Sequence, residues 1–183
     1  MTLITLFLVL NPAVVAVIWL RYRSGDGSNR LIEEVAPVAV LSLALLAVAV
    51  LVGEPVLDAL DVSDATFRIA AGALVVFGAL QAFVGYGLRH ELTSRTWLIA
   101  ACLVWLASPP AVVAAVAIRL NDGVGVALAA VLVSVVAAVL LGYAWKARFG
   151  GDYPVVLGLI QRVLAAGAAF GGVDLIRQGV LSI

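Results

Sequence analysis

Long apolar segments separated by short polar stretches dominate the chain. Six of them reach or approach the ~20 apolar residues that an α-helix needs to cross ~30 Å of hydrocarbon. They are Thr2–Leu20, Val35–Gly53, Arg68–Tyr86, Thr96–Ile118, Val124–Trp145 and Val155–Gly179. The sixth is the weakest, because Gln161, Arg162, Asp174 and Arg177 interrupt it and leave Val163–Val173 as its apolar core. The pattern predicts an all-α membrane protein with six transmembrane helices.

Prolines interrupt two of these segments. Asn11-Pro12 lies inside the first segment, and Ser108-Pro109-Pro110 lies inside the fourth. A proline has no backbone donor and its ring clashes with the preceding turn, so neither segment can be one unbroken helix. Paired breaks of this kind in two halves of a chain indicate a transporter binding site. The alternative is a pair of kinks that only shape helix packing.

The spacing of the breaks favours an internal duplication. The two breaks lie 97 positions apart, and Phe77–Gln81 resembles Phe170–Asp174 at an offset of 93. Both offsets are near half the chain length, which indicates a repeated three-span unit. Because three is odd, the second copy must enter the membrane upside down. We expect one transmembrane domain over 1–183, built from inverted three-helix repeats at about 1–90 and 91–183, with helices 1 and 4 broken.

The basic residues predict the orientation. The loops after the first, third and fifth segments hold most of them: Arg21, Arg23, Arg30, Arg89, Arg95, Lys146 and Arg148. The positive-inside rule places these loops in the cytoplasm and both termini outside. Seven of the eight Trp and Tyr residues, Trp19 among them, lie at segment ends facing the same loops, as in an interfacial belt, whereas Trp105 lies deep in a segment. We expect a multi-pass protein of the cell (plasma) membrane, with the N-terminal segment retained.

Composition narrows the function classes. The chain is 64% hydrophobic and 12% charged, against roughly half and a quarter in soluble domains, so the lipid bilayer must be its main partner. A net charge of zero argues against nucleic acid. Cys102 and His90 are the only residues of their types, which excludes an intrachain disulfide, a paired-thiol metal site and a haem held by two histidines. No cofactor is implied. The chain lacks the residue patterns of hydrolytic or phosphate-binding sites, so we do not expect an enzyme.

The stretch Glu54–Phe67, after the second segment, interleaves apolar and acidic residues. This spacing suits a short helix on the membrane surface or a re-entrant segment. An ordinary acidic loop is the alternative. Elsewhere, small residues such as Gly72, Gly78 and the pair Gly167 and Gly171 predict helix faces that permit close packing in lipid.

With these residues, the chain resembles the MarC family of six-span integral membrane proteins, which is linked to neutral amino acid transport and to LysE-type exporters. Phe7–Pro12 is similar to the family's first-span break, and Phe67–Gln81 is similar to its third-span pattern. Ser108–Pro110 occupies the place of its Gly-Pro-Gly break, although both glycines are replaced. Asp174 stands where the family pattern leads us to expect Gln. The resemblance implies paired broken helices and the transport of small solutes.

The functional hypothesis is a secondary transporter or exporter of a small polar solute such as a neutral amino acid. Four residues at the breaks would line a midplane site, with two others as contributors: Asn11, Pro12, Ser108 and Pro109, then Gln81 and Asp174. Two half-helix N-termini would suit a carboxylate.

Each contributor has a structural alternative. Gln81 would make an interhelical hydrogen bond, and Asp174 would pair with Arg177, three residues later, at the outer interface. The competing class is a non-transporting scaffold or assembly protein, or a passive channel formed by a homo-oligomer.

Overall fold

The computed structural model describes residues 3–21, 31–84, 95–149 and 154–183. Within these ranges the chain is helical and contains no β-strand, which confirms the all-α prediction. The helices are α1 (Leu3–Leu10), α2 (Pro12–Arg21), α3 (Leu31–Ala59), α4 (Asp64–Val84), α5 (Arg95–Leu106), α6 (Pro109–Asp122), α7 (Val124–Phe149) and α8 (Pro154–Leu181). The end of the third segment at Tyr86, several loop arginines (Arg23, Arg30, Arg89) and His90 lie outside the described residues.

Four described helices are long and apolar enough to cross a membrane: Val35–Ala59, Asp64–Val84, Val124–Trp145 and Val155–Leu181. A fifth span results if Ile99–Leu106 and Pro109–Asp122, which meet at a 44° bend, count as one. Leu3–Trp19 is a shorter apolar segment. The sixth segment, which the sequence marks as the weakest, is a continuous helix of 28 residues. Its polar residues do not interrupt the helix, because the backbone hydrogen bonds of a helix do not depend on the polarity of its side chains.

The acidic stretch after the second segment extends α3 and then turns tightly into α4. The helix continues through Pro55 to Ala59, and Asp61 then adopts a left-handed φ of 53°. Ser63 begins α4 as a helix N-cap, because its hydroxyl accepts the Thr66 N–H at 3.3 Å. The stretch is therefore neither a separate surface helix nor a re-entrant segment.

Arg119, near the C-terminal end of α6, repairs the hydrogen bonding that Pro55 disrupts in α3. Pro55 has no N–H for the Leu51 carbonyl four residues earlier. Arg119 Nη1 donates to that carbonyl at 2.7 Å and also to the Val50 carbonyl, while its Nε donates to Glu54 Oε2 at 2.8 Å. One guanidinium thus joins α6 to α3 and supplies a backbone donor that the helix lacks.

Replacing Arg119 by Ala should lower the free energy of unfolding by about 2 kcal/mol, since hydrogen bonds to a charged donor are lost and the Leu51 carbonyl is left unpaired. Arg177→Ala is the matched control. Its ion pair with Asp174 is exposed on both sides, so the change should be within about 0.5 kcal/mol. Denaturant unfolding in detergent measures both, and equal losses would contradict the role given to Arg119.

The largest buried aromatic side chain lies in the interior rather than at the lipid interface. Trp19 is fully buried, and its ring meets the Tyr143 ring edge-on, with centroids 6.0 Å apart. The prediction that Trp19 belongs to an interfacial belt is therefore wrong. Position near a segment end did not decide its environment, because α2 packs against α7 along this face.

Helices α4 and α8 form the most extensive helix pair in the described structure, and they run antiparallel. Gly179 approaches Ala65 near the start of α4, Gly172 approaches Gly72 in the middle, and Gln161 bonds to Ala82 near its end. A Cβ at Gly72 would lie 2.5 Å from the Gly172 carbonyl oxygen. This close approach confirms the prediction that the small residue at this position permits tight helix packing.

Candidate functional site

A cavity of about 330 Å³ lies where the two helix breaks meet. Its walls come from α1, α4 and α8 and from the α5–α6 break. Most lining side chains are apolar; amide or hydroxyl groups come from Asn11, Gln81 and Ser108. The volume is within the ~300–1,000 Å³ typical of small-molecule sites. The tertiary structure thus brings two breaks from distant parts of the chain to one cavity.

The first break depends on the backbone conformation of Asn11. Its φ of 44° is left-handed, a region that Asn tolerates better than other residues with a Cβ, apart from Asp. The Asn11 N–H donates to the Phe7 carbonyl at 3.2 Å, and the Asn11 carbonyl accepts the Val14 N–H at 3.0 Å. Pro12 then begins α2 at a position where a missing N–H is tolerated. The sequence Asn-Pro therefore ends one helix and starts the next within a single residue.

The second break is made by an extended residue followed by two prolines. Ser108 has φ −63° and ψ 156°, the conformation favoured before proline. Its N–H donates to the Trp105 carbonyl at 3.2 Å, and its carbonyl accepts the Val112 N–H at 3.0 Å. The Ser108 hydroxyl does not cap α6. That hydroxyl is therefore left available on a residue that lines the cavity.

Trp105 joins the two breaks directly. Its indole Nε1 donates to the Leu10 carbonyl, the last of α1, at 2.8 Å. Trp105 also lines the cavity, so it takes part in the site rather than only filling the bundle. Because helix-end carbonyls lack helical partners, this bond both satisfies α1 and fixes its end against α5.

Gln161 on α8 does not line the cavity but holds the side chain of Asn11, which does, and sequence reasoning missed this role. It is buried, its backbone carbonyl accepts the Asn11 Nδ2–H at 3.1 Å, and its own Nε2 donates to the Ala82 carbonyl at 2.5 Å. This chain of bonds ties the first break to α8 and then to α4. The only sequence signal is that Gln161 is a polar residue within the sixth apolar segment. The sequence shows it as an interruption of that segment and does not show which helix it faces.

Of the six residues that the sequence predicted for the site, four line the cavity, whereas Pro12 and Asp174 do not. Asn11, Gln81, Ser108 and Pro109 line the cavity. Pro12 is buried beside Asn11 at the start of α2 and is not part of the lining.

Asp174, which the sequence proposed as a contributor, is not part of the cavity lining. Its carboxylate is about half exposed and lies 3.6 Å from Arg177 Nε, and Gln178 Nε2 donates to it at 2.6 Å. Sequence spacing could pair Asp174 with Arg177, but it could not show which face of α8 points to the cavity.

The described lining of the cavity carries no net charge, and only a few of its residues are polar. Within the described residues, no charged side chain lines it. Asn11 is 1% exposed, and its Oδ1 has no hydrogen-bond partner in the described part of the chain. Such a buried, unpaired acceptor costs about 1–3 kcal/mol, so a bound group with a donor would relieve it.

Comparisons with protein-family models, with curated proteins and with solved structures found no match to this chain. Its class therefore follows from its own structure. The described helices, with four or five of spanning length and composition, indicate an all-helical membrane protein.

Proposed function

We propose that the chain is a MarC-like secondary transporter or exporter of a small polar solute, with neutral amino acids as the first candidates. One observation supports this above all: a cavity of solute size lies where two proline breaks meet. Discontinuous helices that meet at a shared site are the usual construction of transporter binding sites. Asn11, Ser108 and Gln81 would provide its polar contacts.

Six spans in two inverted repeats are part of the same proposal, with α1 and α2 together as the first span. The order of elements supports it, since a broken helix followed by two long helices occurs twice. The packing of α4 on α8 also supports it. A Cβ at Gly72 would meet Gly172 and Ile176, and a Cβ at Gly172 would meet Gly72 and Val76. Such reciprocal contacts are typical of elements related by a two-fold axis.

The α4–α8 pair also offers a physical route to alternating access. Both helices line the cavity, and near Gly72 and Gly172 their backbones approach each other closely because neither glycine carries a side chain. Smooth surfaces of this kind allow small sliding motions between packed helices. Movement of this pair against the α5–α6 break would open the cavity to one side or the other of the plasma membrane, with both termini outside.

The full chain reconstituted in liposomes provides the test, with uptake of radiolabelled neutral amino acids driven by counterflow. Ser108→Ala should reduce the initial rate by roughly tenfold, since a site hydrogen bond to a polar solute is worth about 1–1.5 kcal/mol. Ser134→Ala is the matched control, because Ser134 is fully buried in α7 and is not part of the cavity lining. Liposomes without protein give the background.

Equal rates in the two serine variants would contradict the assignment of the site. Solute binding without flux in well-folded protein would instead favour the scaffold or assembly class over transport.

A further inference from the structure

We infer that the cavity recognises an ammonium group on a solute with an apolar body, and disfavours a carboxylate at the same position. This inference rests on the proposed function, in that it takes the cavity to be the solute site. It differs from the expectation that two half-helix N-termini would bind a carboxylate.

The prolines that create the breaks remove donors and expose acceptors. Pro12, Pro109 and Pro110 carry no N–H, so both half-helices begin with fewer amide donors than ordinary helix N-termini have. The same prolines deprive the Leu8 and Leu106 carbonyls of the N–H four residues later. The prolines therefore reduce the number of amide donors at both breaks and leave the carbonyl of Leu8, a residue that lines the cavity, without its helical donor.

Three of the remaining donors near the breaks are already used. The Val14 N–H is bonded to the Asn11 carbonyl, and the Val112 N–H to the Ser108 carbonyl. The indole N–H of Trp105 is bonded to the Leu10 carbonyl. A carboxylate needs several N–H donors or a cationic side chain, and within the described residues no Lys or Arg lines the cavity.

Asn11 provides an acceptor whose orientation is fixed. Its Nδ2 faces the Gln161 carbonyl at 3.1 Å, and a carbonyl can only accept, so the amide cannot be turned around. Its Oδ1 is therefore the free atom, buried and unpartnered within the described residues. An ammonium carries three donors on a compact group.

Aromatic and apolar side chains would contact the rest of the ligand. Trp105 and Phe77 line the cavity, and aromatic ring faces attract ammonium groups. At the rim, Phe77 is 59% exposed and Val104 is 76% exposed. Both lie on helices of spanning composition, so the cavity opens towards apolar surroundings. A branched aliphatic body of leucine size fits such a lining.

Three ligands of matched shape test the inference: isopentylamine, isovalerate and isopentanol. At pH 7 the amine is protonated and the acid ionised, because their pKa values lie near those of Lys and Glu side chains, about 10.4 and 4.3. Full-length protein in lipid nanodiscs is titrated with each, and a ligand of the folded state raises the melting temperature. The amine should give an apparent Kd at least about tenfold lower than isovalerate, as expected for charge-assisted bonds.

Asn11→Gly removes the amide and permits the same left-handed backbone, so it should bring the apparent Kd values of amine and carboxylate to within about twofold of each other. Ser134→Ala should keep the full preference. Tighter or equal binding of isovalerate, with Asn11 dependence, would overturn the inference and leave the proposed function standing. A preference for the amine that survives in Asn11→Gly would also overturn it. No stabilisation by any of the three ligands or by neutral amino acids would overturn both.

Discussion

Among glycine-to-alanine substitutions in the α4–α8 pair, Gly72→Ala should lower the free energy of unfolding the most. The new Cβ would lie 2.5 Å from the Gly172 carbonyl oxygen and 2.9 Å from the Ile176 backbone nitrogen. Neither atom can move without shifting α8, so the two helices must separate. Overpacking usually costs about 1–3 kcal/mol, and we expect the upper end of that range. Unfolding by SDS or urea in mixed micelles measures the change.

Gly158→Ala is the control within α8. A Cβ there meets nothing within 4 Å, so only helix propensity acts, and the variant should be as stable as the parent or up to about 1 kcal/mol more stable. Gly172→Ala should resemble Gly72→Ala, because its Cβ would lie 2.8 Å from the Gly72 carbonyl oxygen. Losses of less than about 0.5 kcal/mol in both variants, below the range for overpacking, would mean that the pair is not packed this closely.

Asn11 should be the residue whose side chain matters most for solute transport, and two substitutions separate its two roles. Asn11→Ala removes the amide and also places alanine, which tolerates the left-handed region less well than asparagine, at a φ of 44°, at a cost of up to about 1–2 kcal/mol. Asn11→Gly removes the amide without that strain. In both variants the initial rate of transport should fall by at least about tenfold, because one buried hydrogen bond is worth about that factor. Asn11→Gly should have a higher melting temperature than Asn11→Ala.

Counterflow in proteoliposomes and thermal unfolding of the same preparations measure the two effects. Asn121→Ala serves as the control, because Asn121 lies near the end of α6 and is not part of the cavity lining. Wild-type transport in Asn11→Gly would show that the amide does not contact the solute. Equal melting temperatures for the Gly and Ala variants would show that the left-handed backbone stores no strain.

The breaks were the part of the site that the sequence could predict. A proline removes a backbone donor wherever it lies, so Asn11-Pro12 and the successive prolines Pro109-Pro110 were candidate breaks, although α3 accommodates Pro37 and Pro55 without interruption. Their polar residues were therefore good candidates, and the structure places Asn11 and Ser108 together at one cavity. Gln161 and Asp174 show the limit of that reasoning. Both are polar residues on α8, yet Gln161 is buried at the break and Asp174 is exposed.

The sequence by itself determined the helical class, the apolar segments of spanning length and the positions of both breaks, because hydrophobic run length and missing N–H groups act locally. The tertiary structure alone decided that the breaks share a cavity, that Trp19 is buried and that Arg119 completes the hydrogen bonding of α3. These features depend on which faces of distant helices meet. Because both faces of these helices are apolar, the spacing of hydrophobic residues does not show which face of a helix points to the interior. Close contacts such as that between Gly72 and Gly172 determine that face instead.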